Sequence, residues 1–168
     1  MSARAPDDLP AIGTRFVTRG RTVTEADVVM FAALTGDWHP QHSDAEWARS
    51  SPFGERIAHG LLVLSFALGL GGVDQARVVA LRRLRDVVFK RPARFGDTIS
   101  AEVTVASARP IRPGAALVGL DWIVSNARGE TLVRAGIEVL WRTDDASAPP
   151  GAMTDASSLG LPDGVIPS

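Results

Sequence analysis

The chain has 168 residues, 45% of them apolar and 22% charged, with a formal net charge of -1, a balance that suits one folded domain and excludes wholesale disorder. So small a net charge gives no bulk electrostatic reason to bind nucleic acid or an anionic membrane surface. There is no cysteine, which excludes disulfide scaffolds, thiolate zinc sites and cysteine nucleophiles.

The first ten residues, Met1 to Pro10, hold two aspartates and two prolines and no apolar run, unlike a secretory signal, so cytoplasmic residence is the expectation. Gly13 to Thr18 reads as a first strand. Thr24-Glu25-Ala26-Asp27 then opens an apolar-periodic stretch through Val28, Phe31 and Ala32, and Gly36 follows its end, which predicts a capped amphipathic helix over 25–35. The chain next enters Asp37-Trp38-His39-Pro40-Gln41-His42. Pro40 fixes its own φ and pushes His39 out of the helical region, so this segment is expected to be a stiff extended turn. Ser43 to Glu46 repeats the capping-box spacing and predicts a short helix over 44–49.

From His59 the sequence is apolar all round and ends in glycines, as expected of a central helix over 59–70 surrounded by protein. Its longest apolar segment, Leu61 to Leu70, is far short of the roughly 20 residues needed to cross a bilayer. The period then changes to two: Ile99, Ala101, Val103 and Val105 alternate with polar residues, as do Val133, Ala135, Ile137, Val139 and Trp141. Further strands are expected over 78–89 and 115–125, with Pro92 to Asp97, Pro110 to Gly114 and Asn126 to Gly129 as the turns between them. Long strands joined by short turns favour an antiparallel meander, and one apolar helix needs a cover. The economical architecture is α+β, a curved sheet wrapped around that helix. Residues 1–145 form the expected domain, and 146–168, rich in Ala, Ser, Pro and Gly without a period, a loosely ordered tail.

All three histidines, His39, His42 and His59, fall within a span of 21 residues, and the first two share a loop with Asp37. Imidazole titrates near neutrality and a neighbouring carboxylate can orient it or share a bound water, so Asp37 and His42 are the candidate acid/base pair. Taken alone, Asp37 after Gly36 is an ordinary turn former and His42 an ordinary cap neighbour. His59-Gly60-Leu61 opens the central helix, where unpaired N–H groups and the positive dipole end face outward. Gly60 would let a ligand approach that backbone, and a developing enolate oxygen placed there would be stabilised as in an oxyanion hole. For His59 itself a structural hydrogen bond at the helix start is the simpler reading. A zinc or iron site at Asp37, His39 and His42 fits the ligand types, but holding water accounts better for the glycine-led helix, so no metal is expected.

Two other features have plainer readings. Arg77, Arg82, Arg83, Arg85, Lys90, Arg91 and Arg94 form a basic run suited to phosphate groups of a ligand, yet alternate strand positions face opposite ways, so all seven cannot serve one ligand. Trp122 and Trp141 sit on strands whose apolar faces need filling, which favours core or interface packing.

The run from Phe31 to His42, Phe-Ala-Ala-Leu-Thr-Gly-Asp-Trp-His-Pro-Gln-His, resembles the signature of the MaoC-like, (R)-specific enoyl-CoA hydratases. The His59-Gly60 pair and the segment from Phe89 to Thr98 are similar to that family's following segments, so the resemblance spans roughly residues 13 to 142. It implies a hot dog fold, usually dimeric, that hydrates trans-2-enoyl thioesters or dehydrates 3-hydroxyacyl ones without metal or redox cofactor. Asp37 and His42 then bind and deprotonate water and shuttle the proton to the α-carbon, Gly60 supplies the oxyanion N–H, and His39 stands where many members carry asparagine, near the substrate. The implied partners are an acyl-CoA or acyl-carrier-protein substrate and a second copy of the chain. The rival readings are a hot dog thioesterase, which has no need of the histidine after the proline, and a catalytically silent subunit of a hetero-oligomer.

Overall fold

A computed structural model describes residues 9–143; the expected tail over 146–168 lies outside them. Three short helices and two short strands precede the central helix: β1 (Arg15–Val17), β2 (Arg21–Thr22), α1 (Glu25–Thr35), α2 (Pro40–Ser43) and α3 (Ala45–Arg49). The central helix α4 (Gly60–Gly69) is followed by four long strands, β3 (Val78–Phe89), β4 (Thr98–Arg112), β5 (Ala115–Asn126) and β6 (Thr131–Arg142). The strands form one antiparallel sheet in the order β1-β4-β5-β6-β3, with β2 also paired to β4. Among the described residues no helix is long and apolar enough to cross a membrane.

Local sequence explains where α1 begins and ends. The Thr24 side chain accepts from the Asp27 N–H while Asp27 accepts from the Thr24 N–H, a reciprocal cap, and Gly36 closes the helix with φ 79°, its N–H bonded to the Ala32 carbonyl. Only glycine adopts that left-handed conformation at little steric cost. Helix α4 has ten residues, too few to be stable alone in water, so packing must hold it. Leu62, Val63, Leu64 and Ala67 are buried against Ala101, Val103, Leu120, Trp122, Val124, Ala135 and Ile137 of the sheet in one apolar cluster. Each such aliphatic side chain contributes about 1.5–3 kcal/mol on burial. Trp122 and Trp141 both belong to this cluster, the packing role their strands suggested.

Three expectations need correction. The helix over 59–70 is not enclosed on every side: Leu61, Ser65 and Gly69, four residues apart and so on one face, are exposed. Strand β4 does not stop before Pro110 but runs on to Arg112, with Pro110 opposite Ala116 of β5. It can do so because β1 and β2 flank β4 only as far as Thr104; beyond that its outer side is a sheet edge, where a missing N–H costs no ladder bond. The third correction concerns the loop that carries the candidate pair.

Candidate active site

Instead of a stiff extended turn from Asp37 to His42, the chain turns into helix at Pro40. Proline's fixed φ suits the first helical position, where its missing N–H would have been unpaired anyway, and only His39, just before it, stays extended with φ -52° and ψ 135°. His42 therefore sits inside the short helix α2, which ends just ahead of α3. Helix α3 is capped one residue later than the spacing suggested, by Asp44, whose carboxylate accepts from the Trp47 N–H at 3.0 Å.

The ring of His42 is fixed by a bond that no motif announces. Its Nδ1 lies 2.7 Å from the backbone carbonyl oxygen of Ile57, which can only accept, so Nδ1 carries the hydrogen and Nε2 holds the lone pair. Burial pushes the His42 pKa below the ordinary imidazole value, and His59 and His39 act the same way, while the Ile57 carbonyl and the Asp37 charge partly oppose them. The result is a neutral imidazole with one basic nitrogen. Asp37 is half-exposed, and its Oδ1 accepts from the His39 N–H at 3.3 Å. A ligand atom from each of Asp37, His42 and His59 lies within 4.8 Å of the others, close enough for one water to bridge the carboxylate and the imidazole.

His59 is 3% exposed and precedes α4, and its Nε2 is 3.0 Å from the Asp37 carbonyl oxygen. The same acceptor logic puts a hydrogen on that nitrogen, so the atom nearest the carboxylate, 3.8 Å from Asp37 Oδ2, presents no lone pair to a cation. That is a poor fit to a metal centre. The His42 and His59 rings stack at 3.8 Å between centroids and 29° between planes.

These groups open on a cavity of about 410 Å³ that is lined by Asp37, His42, His59, Gly60, Phe31, Phe53, Leu61, Phe89, Lys90 and Arg91, among others. No side chain caps the first turn of α4, so its N–H groups remain available to a ligand oxygen. The space left by the missing side chain of Gly60 is not open, however. A Cβ built there would meet the Phe89 ring at 2.7 Å, so glycine is required by the close approach of β3, and a ligand must reach the helix end from another direction.

The structure thus brings Asp37, His42 and Gly60 to one cavity, while His39 stays off its lining with its ring edge-on to His42 at 6.3 Å between centroids. His39 is exposed and caps α2, its Nδ1 accepting from the Gln41 N–H at 3.1 Å and its ring edge-on to Trp47 at 5.5 Å; it is absent from the cavity lining. Of the basic run only Lys90 and Arg91 line the cavity. Arg82 pairs with Glu138 and Arg94 with Glu55, and Arg77 is buried with its Nη1 donating to the Arg142 carbonyl. The residues that sequence reasoning missed are apolar or main-chain: Phe53, Phe89 and the Ile57 carbonyl.

Comparison with known proteins agrees with this geometry. An (R)-specific enoyl-CoA hydratase from Rhodospirillum rubrum is 36% identical over 90 residues, 54% of this chain and 62% of that protein; this chain thus matches less than two thirds of that relative's length. A 3-hydroxybutyryl-CoA dehydratase from Methylorubrum extorquens is 35% identical over 119 residues, 68% of this chain and 74% of that one. The crystal structure of a MaoC-like dehydratase from Rhodospirillum rubrum superposes with a TM-score of 0.73 at 30% identity, covering 79% of this chain and 93% of that one. The family model for the MaoC like domain matches residues 8–127, and with the sheet wrapped around α4 and the Asp37–His42 loop at its mouth, the chain belongs to the MaoC-like domain family and has its hot dog fold.

Proposed function

We propose that this protein adds water to trans-2-enoyl thioesters, or removes it from (R)-3-hydroxyacyl thioesters, with Asp37 and His42 as the acid/base pair and the Gly60 N–H as oxyanion donor. The observation that carries the reading is the tautomer of His42: Nδ1–H is tied to the Ile57 carbonyl, which leaves Nε2 as a base beside a carboxylate at the open end of α4. A water held between Asp37 and His42 loses a proton to this pair as its oxygen bonds to C3 of the enoyl group. The π electrons of the double bond move through C2 onto the thioester oxygen, where the N–H groups at the start of α4 stabilise the enolate. The proton returns to C2 as the enolate collapses, and water has been added across the double bond. The reverse sequence is dehydration.

The relatives named as (R)-specific enoyl-CoA hydratase and 3-hydroxybutyryl-CoA dehydratase support this substrate class. Lys90 and Arg91 at the cavity rim suit the phosphates of coenzyme A or of a carrier protein's phosphopantetheine arm. The reaction needs no cofactor beyond the one carried by the substrate. The assembly that fits is a homodimer. Among the described residues β3 ends the sheet with its outer edge unpaired, and Val79, Leu81, Leu84, Val88 and Phe89 on it are exposed, a combination that invites pairing with a second copy. Cytoplasmic residence is the compartment consistent with such substrates.

The test is a panel of enoyl-CoA and enoyl-carrier-protein substrates of several chain lengths, followed for loss of the conjugated double bond and for release of free thiol. Loss of the double bond without thiol is the expected result. Thiol release in step with substrate consumption would replace the hydratase reading with a thioesterase.

A further inference from the structure

His59 is the least explained group of the site. A buried side chain whose only duty is to fill space costs least when it is apolar, yet this one buries a nitrogen, Nδ1, with no hydrogen-bond partner among the described residues, and so loses its hydration uncompensated. What the imidazole supplies that an apolar ring would not is its Nε2–H, which donates to the Asp37 carbonyl at 3.0 Å. What it supplies that an amide would not is a flat face, on which His42 stacks at 3.8 Å while the Phe31 ring lies 5.1 Å away. Its own backbone leads directly into Gly60.

Resting on the hydratase reading above, we infer that His59 is a positioning residue: one ring fixes the main chain of Asp37, the plane of His42 and the start of the oxyanion helix relative to one another. The three reacting parts come from three separate elements, the loop after α1, α2 and α4, and His59 touches or adjoins all three. The charged and titratable groups around His42 are Asp37 and His39 on its own segment, His59 on α4, and Lys90 and Arg91 beyond β3 across the cavity.

Two substitutions in the full chain separate the two contacts. His59→Gln keeps an N–H donor for Asp37 and removes the ring face; His59→Phe keeps the face and removes the donor. Two readouts are taken on each: the His42 titration by NMR without substrate, and kcat and KM for crotonyl-CoA hydration. In His59→Gln the His42 pKa is expected to rise toward the ordinary imidazole value as water reaches the uncovered ring, whereas in His59→Phe it stays low. In both, kcat is expected to fall about tenfold or more with KM little changed, since a misplaced base costs rate before binding. A folded His59→Gln variant with an unmoved His42 titration, or either folded variant with kcat within about twofold of the unaltered chain, would overturn the inference. Absence of hydration by the unaltered chain would contradict the hydratase reading alone, because the titration reads His42 without any substrate.

Discussion

The two ends of α4 are built for different purposes. At its start, Asp37, His42 and His59 crowd around the uncapped first turn, with Lys90 and Arg91 at the rim. At its end, Leu68, Gly71, Val73, Val78, Leu81 and Trp122 help to line a second cavity of about 330 Å³ in which no lining side chain titrates. One helix therefore gathers titratable groups at the end where its dipole is positive and apolar surface at the other. A negative charge developing in a reaction is stabilised only at the first of these. The contrast predicts that substitutions near Gly60 change turnover, while those near the sheet centre change stability and leave turnover alone.

The largest expected effects lie at the polar end. Asp37→Asn and His42→Ala should each fold normally and lose roughly 10² or more of hydration rate if acid/base catalysis is removed, measured with crotonyl-CoA alongside circular dichroism. The pH profile sharpens the same point. Burial holds the His42 pKa below its ordinary value, so the base is already deprotonated at neutral pH, and kcat/KM should fall only on the acid side, at a pH below the ordinary imidazole value. An acid limb above that value would place the base elsewhere. Gly60→Ala comes next, because its Cβ would meet Phe89 at 2.7 Å; overpacking of this kind costs about 1–3 kcal/mol, and trimming the ring in a Gly60→Ala/Phe89→Ala double variant should recover part of it in denaturant titrations. At the apolar end, Ile137→Val should cost about 0.5–1.5 kcal/mol with kcat unchanged, and a loss of turnover there would break the contrast between the two ends. Thr24→Ala, which removes the α1 cap, should cost about 1 kcal/mol and nothing in rate.

Much of this organisation was legible in the sequence because it depends on local patterns. The Thr24–Asp27 cap, Gly36, the period-two strands and the all-apolar run after Gly60 each impose structure within a few residues, and the curved sheet around α4 follows from the need to cover that run. Pairing Asp37 with His42 was equally local. What escaped were contacts made across the chain. Nothing near His42 in sequence tells that the Ile57 carbonyl will hold its Nδ1, or that Phe89, from the far side of the cavity, will take the space beside Gly60. Pro40 misled for a different reason: its effect on His39 was read correctly, but its own preference for the first helical position put His42 on a helix. His39 illustrates the limit of a motif position, since its Nδ1 caps α2 while its ring stands edge-on to His42 and off the cavity lining.

On the proposed reading, a water placed by Asp37 and His42 adds across an enoyl thioester at the start of α4. The most direct test is to incubate the chain with crotonyl-CoA in deuterated water and identify the product by NMR and mass spectrometry. The account predicts 3-hydroxybutyryl-CoA carrying one deuteron at C2, formed by the unaltered chain and lost in His42→Ala. Free coenzyme A with crotonate, or the same hydrated product at an undiminished rate from His42→Ala, would contradict it.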